Sequence, residues 1–160
     1  MNENRAAIKQ ELYEDTLDVL ESMIGDETDL IAVLSTVVAE LHHHLPHFHW
    51  TGFYRVVSPG VLKVGPYQGG HGCLIIPFER GVCGKAAREA QTQLVPDVHA
   101  LPYHIACSSS TRSEIVIPVI LDGRVVAVLD VDSNEPNAFD ETDQLMLEIL
   151  CGRIAAKFGA

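Results

Sequence analysis

The side chains in this sequence with the means to do chemistry are cysteines, acids and a few aromatic residues at telling positions. Cys73 ends GPYQGGHGC, Cys83 sits in GVCG, and Cys107 ends PYHIAC just before SSSTRSE. All three lie at junctions between loops and regular elements. Cys151 instead falls inside the apolar period of the last helix and reads as core filler. Three readings compete for the junction cysteines. One is burial as small apolar side chains. Another is zinc ligation, with His71, His99 and His104 nearby, although structural zinc usually shows close CxxC pairs and the sequence has none. The third is thiol redox catalysis, which needs an activated thiol and a partner to resolve its oxidised product. Cys107 follows His104 by three residues and precedes Arg112. Cys83 falls in the first turn of a short helix, where free amides favour a thiolate. Cys73 follows a glycine-rich run, and such a run can move as a resolving cysteine must.

The acids give an independent signal. Asp130 and Asp132 alternate along RVVAVLDVDS and therefore project from one face of a strand. A strand end reaching solvent explains that pair taken alone. The preceding strand, SEIVIPVIL, ends in a hairpin at Asp122-Gly123. A two-residue turn there would set Glu114 opposite Val131 and split the acids between faces. A three-residue loop, Leu121-Asp122-Gly123, pairs Ile120 with Arg124 and sets Glu114 opposite Asp130. The second register accounts for all three acids and is the expected one. Like charges paired across strands repel unless a cation sits between them or one stays protonated. Such a cluster describes a pocket for an ammonium group, or a proton donor. Trp50 and Tyr54 lie four apart on a predicted strand, hence on one face, as core packing or as an apolar wall for a ligand. The histidines from His42 to His49 read as a helix C-terminus and not as a metal site, since His42, His43 and His44 cannot converge on one ion.

The elements that must position these residues are legible in outline. Ile8, Leu12, Val19, Leu20, Met23 and Ile24 predict a first helix running to about Gly25. A second starts near Thr28, its expected N-cap, and Pro46 closes it. Short β-like runs follow at Trp50–Val57, Val61–Val64, Cys73–Pro77, Leu94–Pro96, Ile115–Ile120 and Val125–Asp130, with a short helix at Gly81–Glu89. Asp140 caps a final helix with an expected buried stripe of Leu145, Met146, Ile149, Leu150 and Ile154. This is an α+β layout, a central, mostly antiparallel sheet flanked by N- and C-terminal helices, with one domain expected over residues 1–160.

Composition sets the outer limits. The chain has 160 residues, 47% of them hydrophobic and 21% charged, which is globular and large enough for one core. A net charge of −11 repels a phosphate backbone and argues against nucleic acid. No run approaches the roughly 18 apolar residues of a membrane span. The polar N-terminus has no signal-like core, so the cytoplasm, where thiols stay reduced, is the expected compartment.

The segments HWTGFY, GPYQGGHGC, GVCGKAA, QLVPDVH, HIAC, RSEIVIPV and GRVVAVLDVDS run in order from residue 49 to 133. Together they resemble the free methionine-(R)-sulfoxide reductases, which are stand-alone GAF-domain enzymes. Two departures are visible: Tyr103 stands where the family commonly has glycine, and Gly72 where alanine is common. The resemblance implies Cys107 as the thiol that attacks the sulfoxide sulfur, Cys73 as its main resolving partner and Cys83 as an auxiliary. It implies Glu114, Asp130 and Asp132 as ligands of the substrate's ammonium and sulfoxide, and Trp50 and Tyr54 as contacts to its methyl end. No cofactor or metal is implied, only an external dithiol such as thioredoxin, and a homodimer. The competing class is a sensory GAF module that binds a small ligand without chemistry. Such modules are expected beside output domains, and they have no need of three junction cysteines.

Overall fold

Strand alternation and helical periodicity resolve here into a single layered sheet. In the computed structural model, which describes residues 3–105 and 107–160, the strands are β1 (Trp50–Ser58), β2 (Val61–Gln68), β3 (Ile75–Pro77), β4 (Gln93–Val95), β5 (Ser113–Leu121) and β6 (Arg124–Ser133). They pair in the order β3-β2-β1-β6-β5-β4, and each neighbouring pair is antiparallel. The helices are α1 (Glu3–Ile24), α2 (Leu30–His44), α3 (Gly81–Glu89) and α4 (Glu141–Ile154). None is long and apolar enough to cross a membrane.

The sheet separates two apolar layers. On one side Phe53, Ile115, Ile117, Val119, Ala127, Leu129 and Val131 pack against α1, α2 and α4. On the other, Tyr54, Val116 and Val128 pack against α3 and the loops around it. Alternation along β5 and β6 makes this division, because neighbours in a strand point to opposite faces. Pro118 is tolerated inside β5 because β4 pairs only as far as Val116, leaving β5 a single neighbour there.

The β5–β6 hairpin corrects the expected turn. Leu121 pairs with Arg124 around a two-residue turn in which Asp122 and Gly123 have φ of 50° and 76°. That is the turn expected to split the acids. The register then shifts between Val119–Ala127 and Ile120–Val125, leaving Val126 as an extra residue on β6. Val126 and Ala127 consequently both face the helical layer while Val125 and Val128 face the other. One bulged residue restores the parity that the turn removes. Glu114 therefore pairs with Asp132, not Asp130, and all three acids share a face.

The helix faces are rotated from the expected ones. The α1 helix buries Lys9, Tyr13, Thr16, Leu17 and Leu20, while Ile8, Val19 and Met23 are exposed. The α4 helix buries Asp143, Met146, Leu147, Leu150, Cys151 and Ile154, and leaves Leu145 and Ile149 outside. Inward-pointing polar residues cause both rotations: Lys9 Nζ bonds Asp143 Oδ2 at 2.6 Å, and Tyr13 donates to Asp143 Oδ1 at 2.7 Å. Asp140 caps α4 as expected, with Asp143 completing a capping box. The N-cap of α2 is Asp29 and not Thr28; its carboxylate accepts from the Ala32 amide at 3.0 Å.

Candidate active site

Strand pairing assembles the site on the face away from α1, α2 and α4. Asp132 lies between Trp50 of β1 and Glu114 of β5, while Asp130 lies between Gly52 and Val116. Glu114 and Asp130 are each about 5% exposed, and Asp132 stands nearer the rim. Beside them runs an aromatic wall. Trp50 stacks on Tyr54 with centroids 5.8 Å apart and on Tyr67 at 5.3 Å. Gly52 makes room for that wall, since a Cβ there would stand 2.5 Å from both the Trp50 ring and Tyr67 Cβ. The Trp50 indole also donates to the Gly70 carbonyl at 2.8 Å, tying the glycine-rich loop down over the ring.

That loop carries Cys73 across the site. Cys73 and Cys107 form a disulfide with Cα atoms 5.6 Å apart. Below it is a cavity of about 30 Å³ lined by Tyr54, Cys83, His104, Glu114, Asp130 and Asp132, among others. That volume suits one or two water-sized guests. On the outer side, Cys107, Thr111 and Asp132 also line an open cleft of about 500 Å³ with Trp50, Gly70 and His71. The disulfide thus stands between a larger cleft and a small acid-lined chamber.

Electrostatics in the chamber follow from burial without a counter-ion. Desolvation pushes the Glu114, Asp130 and Asp132 carboxyls well above the ordinary range, and their mutual repulsion adds to it. The contact between Asp130 and Glu114 partly offsets this at Glu114 and adds to it at Asp130. His104 Nε2 lies 3.4 Å from Glu114 Oε2, but burial lowers the histidine and favours its neutral form. Buried Cys83, beside Asp130, is raised well above an ordinary thiol by burial and then by the three acids. This corrects the expected thiolate: desolvation and nearby negative charge outweigh the amides at the start of α3. The arrangement offers a redox-active cysteine pair, carboxyls able to hold and give a proton, and an apolar wall, within one small volume.

Residues 27–157 match the GAF domain family. The chain belongs to that family. Its sheet order and flanking helices are those of a GAF fold. Among relatives of this GAF domain, Protein YtsP of Bacillus subtilis is 44% identical over 91% of this chain and 90% of its own length. The free methionine-R-sulfoxide reductase of Escherichia coli is 36% identical over 91% of this chain and 88% of its own. Among solved structures, free methionine-R-sulfoxide reductase from Neisseria meningitidis in complex with its substrate superposes with a TM-score of 0.90 at 42% identity, covering 99% of this chain and 93% of that one.

The GAF domain brings together all the residues singled out from sequence: Cys73, Cys83, Cys107, Glu114, Asp130, Asp132, Trp50 and Tyr54. His71 lines the outer cleft, while His99 lies in the 3-10 turn Val98–Ala100. Of the histidines near α2, His47 bonds Asp143 at 2.7 Å and His42 pairs with Thr51 at 3.0 Å, on the helical side of the sheet. Tyr67 and Gly52 escaped the sequence reading. Their signal was the pairing of β1 with β2, which sets Gly52 opposite Tyr67 and is invisible until the register is known. The two departures also find their places. Tyr103 has no left-handed backbone to require glycine, and its ring lies under Lys85 Nζ at 5.4 Å. A Cβ on Gly72 would stand 2.8 Å from the Trp50 ring, so glycine lets the loop lie closer than alanine would.

Proposed function

We propose that this GAF domain reduces free L-methionine (R)-S-oxide to methionine with electrons from a dithiol. The observation that carries the reading is the Cys73–Cys107 disulfide beside a chamber lined by three acids, the buried Glu114 and Asp130 and the half-buried Asp132, that have no cationic partner. The relatives named free methionine-R-sulfoxide reductase supply the substrate class.

In the reduced enzyme Cys107 attacks the sulfoxide sulfur, and an acid of the cluster protonates the departing oxygen. Methionine leaves, and the oxygen remains on Cys107 as a sulfenic acid. The Cys73 thiol then attacks the Cys107 sulfur, forming the disulfide and releasing water. An external dithiol, in the cytoplasm a protein of the thioredoxin class, restores both thiols by exchange. The remaining carboxylates receive the substrate's ammonium, and Trp50 and Tyr54 meet its methyl end. Cys83 is an auxiliary thiol that enters only if it is deprotonated. No cofactor takes part, and the active species is a homodimer.

The test is to incubate the protein with a dithiol and free methionine sulfoxide and to measure methionine. Wild type should turn over, and Cys107→Ser should not, because a hydroxyl is a far poorer nucleophile toward sulfur. N-acetylated substrate, lacking the ammonium, should react much more slowly than free substrate. Binding of the sulfoxide without release of methionine would instead establish a sensory module.

A further inference from the structure

The proposed reaction uses the buried acids one by one, but not their convergence with Cys83 on a single point. Among the described residues, Cys83 Sγ and one carboxylate oxygen each from Glu114 and Asp130 lie within 4.8 Å of one another, all three residues buried. Glu114 Oε2 and Asp130 Oδ1 have no hydrogen-bond partner, an arrangement that is costly unless something fills the space between them. The chamber of about 30 Å³ beside them has room for an ion and a water.

We infer that Cys83, Glu114 and Asp130 form a binding site for a thiophilic divalent cation, Zn²⁺ or Cd²⁺. Donors held around a tetrahedral zinc ion at roughly 2.0–2.3 Å stand roughly 3.4–3.6 Å from one another, so small side-chain shifts close the triangle. One sulfur and two oxygens, with chamber water as the fourth ligand, suit zinc. Magnesium and calcium prefer all-oxygen sets of higher coordination number. On binding, the Cys83 S–H bond breaks as the metal–sulfur bond forms, and the proton passes to solvent together with any proton shared by the acids. No electrons move. Two positive charges replace the protons that burial otherwise retains there. Under the proposed function the ion occupies the ammonium's place, so it excludes substrate, and that consequence alone rests on the functional reading.

The disulfide form isolates the site, because Cys83 and Cys151 are then the two free cysteines. Oxidised protein freed of metal by chelation is titrated with Cd²⁺ and followed by the ultraviolet thiolate-to-cadmium charge-transfer band. One Cd²⁺ per chain with that band is expected, retained in Cys151→Ala and abolished in Cys83→Ala. Asp130→Asn should weaken binding by about tenfold or more while keeping the band, comparable to the loss of a ligand's support at known metal sites. Should Cys83→Ala fail to fold, Asp130→Asn decides. The inference is overturned by cadmium binding without the band, by a band that survives Cys83→Ala or is lost in Cys151→Ala, or by affinity unchanged in Asp130→Asn. These readouts need no turnover, so failure to reduce the sulfoxide would not be mistaken for failure of the metal site.

Discussion

Two sets of buried carboxylates lie on the two sides of the sheet, and they are assembled on opposite terms. On the helical side Asp143 is saturated. It accepts from Lys9 at 2.6 Å, Tyr13 at 2.7 Å, the Asp140 amide at 2.8 Å and pairs with His47 at 2.7 Å. Burial alone would raise this carboxyl, but His47, Lys9 and Tyr13 together outweigh it and hold Asp143 below the usual range. On the other side Glu114 and Asp130 are buried and Asp132 is half-buried, all without a cation, and desolvation holds them above it. The saturated carboxylate joins α1, the segment before β1 and α4 into one body. The unsaturated ones retain protons instead, and it is beside them that a cationic ligand gains most.

The contrast can be broken most directly at Asp143. Asp143→Ala leaves buried Lys9 with only the part-exposed Asp140 carboxylate, removes the acceptor of Tyr13 and the partner of His47, and should cost about 3 kcal/mol or more of folding stability, read from urea denaturation. A loss well below 1 kcal/mol would remove its claim to be structural. The opposite outcome is expected at Glu114→Gln and Asp130→Asn. Turnover should fall about 100-fold. Stability near neutral pH should hold or rise by about 1 kcal/mol, as for other sites that hold strained charge for function. A stability loss matching Asp143→Ala would mean that both clusters are structural.

The smallest effect, and the sharpest in sign, is in pH. Asp143 has a depressed folded pKa, so its contribution is present above the ordinary aspartate value of about 3.9 and fades as pH falls through the depressed one. The deficit of Asp143→Ala should therefore shrink in acid. Glu114 and Asp130 have raised folded pKa values, so their contribution is full below about pH 4 and is lost as pH rises through those values. The stability of Glu114→Gln/Asp130→Asn relative to wild type should increase with rising pH. Melting temperatures across the range, showing both trends with the same sign, would sink the distinction.

These two clusters were not equally legible in the sequence. The acids of the site announced themselves, because charge on a strand as apolar as RVVAVLDVDS demands an explanation. The short helix from Gly81 to Glu89 and the Asp140 cap were found for similar reasons, since turn and cap residues act locally. Asp143 gave no such signal. An acid in the first turn of a helix is ordinary, and its partners Lys9 and His47 are 134 and 96 residues away in sequence. The same blindness misplaced the apolar stripes of α1 and α4, whose rotation is set by that distant contact. In the hairpin, the shared face of Glu114, Asp130 and Asp132 was anticipated for the wrong reason, because a bulge at Val126 cannot be seen in a run of valines.

That run of valines has a consequence for how this chain can change over generations. Substitutions around the chamber alter its contents by degrees, whereas straightening the bulge with Val126 kept in the strand would act on the whole hairpin at once. The Asp122-Gly123 turn would then set Glu114 against Val131 and leave it back to back with Asp130 and Asp132 across the sheet. Descendants of this sequence can therefore lose Val126 outright and keep Glu114 opposite Asp132 in an unbulged hairpin, but they cannot straighten β6 at its full length without inverting the site.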